Sequence, residues 1–450
     1  HLSDVHLSRN NVDDYDMFLL PALLKDLHNI NNQKRIDLIC ITGDLVDKGG
    51  ISFNSTHEGF ECFRDHVLEK ISSHTDLSNL RNRIFFCPGN HDIDRSVVNF
   101  MIESGFPELV KDGKQLEEQV INNSVNREQL LIRLKDYKSF ERGWFDSVDL
   151  EFYEHNEFHS VAMFNRSGLK VGLVMLNSAW RCSSDDDKGK LLLSDFLLKK
   201  AHDAILESSI KVAIMHHPIE HLQDYDQEFA NSFISKHFDI FLCGHSHTTA
   251  TCQYSGMFGN LLFSNAPSNW PDKIRDKNES VPSFQVIDFD RTNRVCTIEY
   301  KKYNHNQTSF VINTDLGNNG RNEYVIPTSE EHKKYVEELE VIDNILKSQI
   351  VELNDHLIGS TTSGSLSPKT IEDLFVHPII YDEPKVSAQN KSRNTYKIDD
   401  ICSSNTNTII LGTRESGKTV LLDMVYITYI RCYQKYRVIP IRFDLADCVN

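Results

Sequence analysis

The sequence has no run of about 18 apolar residues, the length a membrane-crossing helix needs, so no membrane span or membrane partner is expected. Its ten cysteines never form a Cys-x-x-Cys pair, and Cys40, Cys87 and Cys243 lie inside apolar runs. Buried free thiols in a reducing compartment are therefore expected rather than disulfides, which places the chain in the cytoplasm. Positive charge is in deficit: 48 Lys and Arg face 65 Asp and Glu, a formal net charge of −17. That balance disfavours a broad nonspecific grip on nucleic acid, while leaving room for a local basic groove. What is present is ordinary globular composition, 40% hydrophobic and 25% charged. At 450 residues the chain exceeds one common core, so two or three domains are expected.

The first 300 or so residues alternate apolar runs with amphipathic helical patterns, the signature of a layered α/β core. The runs at 38–42, 83–87, 171–176, 211–215 and 239–243 are short and continuously apolar, as strands buried on both faces are. His1-Leu2-Ser3 reads as the tail of a further strand, and the absence of an initiating methionine implies a missing natural start. Between Phe106 and Asn156 the pattern turns helical and charged, which reads as an insertion above the core, over the site. The segments 283–289 and 295–300 alternate with period two, as antiparallel edge strands do.

Five short motifs follow these runs directly. They are Asp4-Val5-His6, Gly43-Asp44, Gly89-Asn90-His91-Asp92, Met215-His216-His217-Pro218 and Gly244-His245-Ser246-His247. Each is rich in oxygen and imidazole ligands, and two metal ions held together need more ligands than one segment can supply. In Asp-x-His and His-x-His the one-residue gap sends both side chains the same way from an extended chain. The neighbours His216 and His217 face opposite ways, so only one of them binds metal. The histidines at 28, 57, 66, 74 and 155 carry no such context and read as ordinary solvated or hydrogen-bonded residues.

The ordered set resembles the calcineurin-like metallophosphoesterase superfamily over roughly residues 1–305. The resemblance implies a four-layer α-β-β-α sandwich with two divalent cations at the strand ends. One cation would take Asp4, His6, Asp44 and His247; the other Asp44, Asn90, His216 and His245, with Asp44 bridging. His216 is chosen over His217 because the family ligand stands two before proline; His217 then serves behind it or on substrate. Family chemistry makes His91 the acid at the leaving oxygen, and Asp92 is expected to orient it. Mn²⁺, Fe and Zn²⁺ all suit oxygen and imidazole ligands, and the lack of a thiolate favours Mn²⁺. The implied reaction is hydrolysis of a phosphomonoester or phosphodiester, with nucleotides and nucleic acid among the candidate substrates.

From Ser329 to Leu357 the apolar spacing predicts one long helix, and Gly359 to Ser365 has linker composition. The expected domains are thus 1–305, a connecting segment 306–365, and 366–450. Gly412-Thr413-Arg414-Glu415-Ser416-Gly417-Lys418-Thr419 matches a phosphate-binding loop between an expected strand, 408–411, and a helix from Val420 to Tyr433. Its amides can cradle ATP phosphates, Lys418 can reach the β- and γ-phosphates, and Thr419 can hold Mg²⁺. A further strand is expected at 438–443. The closing 85 residues (366–450) are short for a complete α/β NTPase domain, so a longer natural chain is expected. The stretch Ile371 to Tyr381 resembles the segment ahead of this loop in NACHT-type STAND switches. That resemblance implies an effector gated by an ATP-binding switch that oligomerises on sensing, as in bacterial antiviral defence. The alternative is a nucleotide-dependent signalling switch whose phosphoesterase-like domain only binds.

Overall fold

In the computed structural model, residues 1–74, 77–166, 168–184, 187–256, 259–270, 281–290, 292–325, 341–342, 344–354, 370–381, 395–403, 408–431 and 440–441 are described. They fall into two compact units, His1–Thr328 and Ser329–Asn450. Among the described residues no helix is long and apolar enough to cross a membrane, and all eight described cysteines are free.

The first unit is built on two sheets. In the first, β1 (Ile39–Thr42) pairs in parallel with β2 (Ile84–Cys87), and all eight of these residues are buried. The N-terminal segment runs parallel to β1 on its other side, through the Leu2–Ile41 and Leu7–Val46 bridges. Its outer edge meets Gln285, whose N–H donates to His1 O at 3.1 Å, within β10 (Ser283–Asp290). β11 (Val295–Asn304) continues the layer and takes both β12 (Ser309–Ile312) and β13 (Arg321–Val325) antiparallel, so the unit runs past residue 305. The second sheet has seven strands in the order β3-β4-β5-β6-β7-β9-β8. These are Phe152–His155, His159–Arg166, Leu169–Leu176, Ile210–Ile214, Ile240–Cys243, Gly259–Asn265 and Ala250–Gly256 in that spatial order.

Phe85 and Phe86 show how the layers join. Neighbours on a strand face opposite ways. Phe85 stacks on Phe164 of the second sheet at 5.9 Å, while Phe86 stacks on Phe140 of the helix Lys135–Asp146 at 5.2 Å. That helix was expected above the core; it is instead an outer layer of the sandwich, with Tyr137, Phe140, Trp144 and Phe145 buried. The second sheet is covered by Asp195–Asp203 and Asp224–His237, which bury Leu197, Leu198, Ala230 and Ile234. The result is the expected helix–sheet–sheet–helix sandwich.

In the second unit, the expected helix 329–357 is described only at 341–342 and 344–354, where it is helical. The linker 359–365 lies outside the described residues. Ile350 and Leu353 pack with Ile371, Ile398, Leu421, Met424 and Ile427 into a small separate core. Helix Lys418–Arg431 is present as expected. The expected strand 408–411 joins no ladder among the described residues, with Ile409 83% and Leu411 75% exposed. A strand needs a neighbour for its hydrogen bonds, and the 438–443 segment lies outside the described residues apart from 440–441.

Candidate metal centre

Four of the five motifs leave the carboxyl end of a parallel strand, so the strand order itself gathers them. Asp44 follows β1, Asn90 follows β2, His216 follows β6, and His245 and His247 follow β7, while Asp4 and His6 lie between the two bridges that tie the N-terminal segment to Ile41 and Val46. Five of these residues hold left-handed backbone: Asp4, His6, Asp44, His245 and His247 have φ between 46° and 69°. Non-glycine residues avoid that region, and such strain is kept where a site requires it. Gly43, at φ +82°, is needed for space as well as conformation. A Cβ there would stand 2.6 Å from His216 Nδ1 and 2.8 Å from Gly89 N.

The side chains converge on the Asp44 carboxylate. Asp44 Oδ1 accepts the backbone N–H of His91 at 2.8 Å, which fixes the group and leaves Oδ2 for the cluster. Oδ2 stands 3.2 Å from His216 Nε2 and 3.8 Å from His6 Nε2. On one side His6 Nε2 lies 3.4 Å from His247 Nε2, and His247 Nε2 lies 3.1 Å from Asp4 Oδ1. On the other, Asn90 Oδ1 is 3.1 Å from His216 Nε2 and 3.0 Å from His245 Nδ1. His216 Nδ1 donates to Thr42 O at 2.7 Å, so Nε2 is the nitrogen aimed into the cluster. The structure therefore brings together two groups that share Asp44, Asp4–His6–Asp44–His247 and Asp44–Asn90–His216–His245, either of which could hold a cation.

The charges fit cations. Asp4 is wholly buried, and its Oδ1 faces the imidazole nitrogens of His247 at 3.1 Å and His6 at 3.8 Å. Burial opposes ionisation of Asp44, but His216, His6 and His91 hold its carboxyl well below the usual range. Burial likewise works against a charge on His216, yet Asp44 raises it to about 9. His245 is pushed down to about 3 by burial and by charged His216, so this imidazole pair takes one proton, not two. That proton partly balances the carboxylates, and a divalent cation would displace it.

His91 stands beside the set and is less open to solvent than His247, whose side chain is 46% exposed. Its ring meets His6 edge-on at 4.6 Å, and its side chain is 16% exposed. His91 Nδ1 lies 3.1 Å from Asp47 Oδ1 and equally near the Lys48 N–H. The carboxylate decides the tautomer, because a bare lone pair facing it would be repelled. Burial disfavours charge on His91, but the Asp47 hydrogen bond and the field of Asp44 hold its pKa above the ordinary value.

The orienting carboxylate is thus Asp47, not Asp92 as expected. Asp92 accepts three backbone N–H bonds, from Leu45 at 2.9 Å, Val46 at 3.1 Å and Gly89 at 2.8 Å. It ties the Asp44 and Asn90 loops together. Asp92→Asn turns one amide NH₂ against a backbone donor and is expected to destabilise by about 1–3 kcal/mol. Calorimetry should show a lower Tm; an unchanged Tm would remove Asp92 from this role.

His217 faces inward as strand alternation requires, with Nδ1 2.7 Å from Ser178 Oγ and Nε2 3.8 Å from Cys182 Sγ. At 1% exposure it packs edge-on against the His216 ring at 4.7 Å. Of the residues outside the first unit, Gly412, Gly417, Lys418 and Thr419 lie together at the head of helix Lys418–Arg431. Lys418 Nζ is folded onto the loop, donating to Gly412 O at 3.0 Å and Thr413 O at 2.6 Å. His221, beside His245, was missed, since a lone histidine in a turn carries no sequence signal.

Comparison with known proteins agrees with the geometry. The calcineurin-like phosphoesterase signature matches residues 1–249. The chain is 22% identical over 260 residues to the uncharacterized metallophosphoesterase-like protein YydB of Bacillus subtilis, covering 55% of this chain and 48% of that protein. It is 21% identical over 184 residues to a probable cyclic nucleotide phosphodiesterase of Xenorhabdus bovienii, covering 40% of this chain and 66% of the relative. The chain thus spans about half to two thirds of these relatives' lengths. A dimetal phosphatase from Danio rerio is similar at 12% identity and a TM-score of 0.36, over 69% of this chain and 96% of its own. With more than half its length matched by that signature, the chain belongs to the calcineurin-like phosphoesterase family.

Proposed function

We propose that the chain is a two-metal phosphoester hydrolase acting on a phosphomonoester or phosphodiester. The convergence of His6 and His216 on Asp44 Oδ2, of His216 and His245 on Asn90 Oδ1, and of His247 on Asp4 carries this reading. Asp4, His6, Asp44, Asn90, His216, His245 and His247 would hold two divalent cations, Mn²⁺ in preference to Fe or Zn²⁺ given the oxygen-rich set. When bound, such cations supply an acidified water and positive charge for the phosphoryl oxygens. The chain's own residues do the rest. Asp44 fixes the spacing of the two sets, Asn90 adds an oxygen without a further negative charge, and His91 carries a proton to the leaving oxygen. Turnover of an aryl phosphomonoester and an aryl phosphodiester by the full chain, with Mn²⁺ and with chelator, tests this. Turnover that survives chelation would sink it.

The proposal extends to the second unit. Residues 366–450 are read as the start of a NACHT-like ATP-binding switch, with Gly412, Gly417, Lys418 and Thr419 around the phosphates and Mg²⁺. The ammonium of Lys418, which donates to two loop carbonyls, would exchange them for phosphate oxygens. ATP-driven assembly into a homo-oligomer would then gate the hydrolase, a cytoplasmic arrangement suited to bacterial antiviral defence. Lys418→Ala removes a charged hydrogen-bond donor and is expected to weaken ATP binding by on the order of 10- to 100-fold. Titration of the full chain with a fluorescent ATP analogue reads this. Equal affinity in the variant would refute the phosphate-loop assignment.

A further inference from the structure

His245 is flanked by three imidazoles, and one of them is not accounted for. His216 is placed as a ligand, and both nitrogens of His217 are taken by Ser178 and Cys182. The third is His221, whose ring stands 4.7 Å from that of His245 and nearly perpendicular to it, at 83°. Among the described residues neither ring nitrogen of His221 has a hydrogen-bond partner, and the residue is half-buried rather than sealed in the core.

Its backbone is held firmly. The His221 N–H donates to Pro218 O at 3.0 Å, and its carbonyl accepts from Gly189 at 2.9 Å and Leu191 at 3.3 Å. The turn Ile219–His221 follows His216 by only three residues, so the same strand end sets both. The ring therefore projects from a rigid turn at the rim of the Asp44–Asn90–His216–His245 set. His91 occupies the opposite side, against His6. The His221 ring nitrogens are taken by no described protein group and are not sealed from solvent, so an N–H is left for a ligand at the rim.

We propose that His221 is a substrate-binding residue that donates a hydrogen bond to a non-bridging phosphoryl oxygen on the His245 side of the centre. The assignment rests on the hydrolase reading for its phosphate, but not on turnover. A phosphate has more oxygens than two cations can take, and a fixed N–H donor at the rim suits one that is left over. Binding energy from such a contact, made equally in substrate and transition state, appears in KM rather than kcat.

The test uses the full chain loaded with Mn²⁺ and inorganic phosphate as the probe, with affinity measured by calorimetry and metal content per chain measured in parallel. His221→Ala is expected to weaken phosphate binding about tenfold and to raise KM for an aryl phosphate by a similar factor, the effect of losing one donor to a charged acceptor. The kcat and the metal content stay near wild type. His221→Gln, which keeps an N–H donor, is expected to recover most of the affinity. Unchanged phosphate affinity in His221→Ala, or no phosphate binding by the wild-type chain, overturns the assignment. So does loss of metal with KM unchanged, because His221 would then be a prop for His245. A wild-type chain that binds phosphate but turns over no ester would defeat the hydrolase reading alone and leave the His221 contact standing.

Discussion

Asp44→Asn is expected to lower metal-dependent hydrolysis of an aryl phosphoester by on the order of a thousandfold or more, a barrier increase of about 4 kcal/mol. The reason is local. Asp44 Oδ1 already accepts the His91 N–H, and Oδ2 faces the Nε2 atoms of both His216 and His6. An asparagine has one oxygen for these two duties. With the amide oxygen kept on His91, its NH₂ enters the cluster and meets imidazole lone pairs where a cation should sit. With the oxygen turned inward, the NH₂ meets the His91 N–H, and the shared ligand has still lost its charge. The fold should tolerate the change, because asparagine is among the residues most at ease in left-handed backbone, and Asp44 has φ 52°. Removing one partner of the buried Asp44–His216 pair costs stability, although His216 can shed its proton in response. The chelated variant should therefore unfold moderately below the wild-type temperature, still in one cooperative transition. Metal-dependent turnover at the wild-type rate would end the bridging assignment; a collapsed Tm in chelator would mean that the loss of activity says nothing about ligation.

The candidate ligands were legible in the sequence for the same reason that the structure gathers them. All but Asp4 and His6 follow a short apolar strand, such as Ile39–Thr42 or Ile240–Cys243, and parallel strands deliver their carboxyl ends to one edge. Apolar run and ligand motif are adjacent in the chain, so one reading finds both. The roles of the supporting carboxylates were not legible. Asp92 is next to His91 in sequence, yet its carboxylate turns back to Leu45, Val46 and Gly89. Asp47, 44 residues away, is the one beside the ring. Such choices depend on how two loops cross, which no local pattern encodes. The helix Lys135–Asp146 escaped for a similar reason. Its charged face dominated the pattern, while Tyr137, Phe140 and Trp144 turn inward only because Phe60 and Phe86 are there to meet them. Tertiary packing decided what periodicity left open. In the second unit, 408–411 has strand-like residues without a described neighbour, and propensity alone does not make a ladder.

His91 and Asp47 together carry the second large effect. His91→Gln is expected to reduce kcat by about 10²- to 10⁴-fold, the range for loss of a positioned general acid. The loss should grow with the pKa of the leaving alcohol: small for a nitrophenyl ester, whose departing oxygen needs little help, and large for an alkyl ester. In the wild type the acid form must be present, so activity holds at low pH and declines as pH rises through the pKa of His91. Asp47 places that decline above the ordinary histidine value, since its carboxylate favours the charged ring over burial, which opposes it. Asp44 also raises it, but cations bound at Asp44 would cancel that share, whereas the Asp47 contact at 3.1 Å would remain. Asp47→Asn should therefore move the alkaline limb of kcat/KM to lower pH and reduce the rate at neutral pH about 10-fold, a typical effect for a residue that orients a reacting group. A variant with the same limb and a uniformly lower rate would show that Asp47 holds only the loop. A limb that persists in His91→Gln would move the acid role to another group. Because the two variants act on one proton, the double variant should be no slower than His91→Gln alone; additive losses would separate the two residues and break the pair.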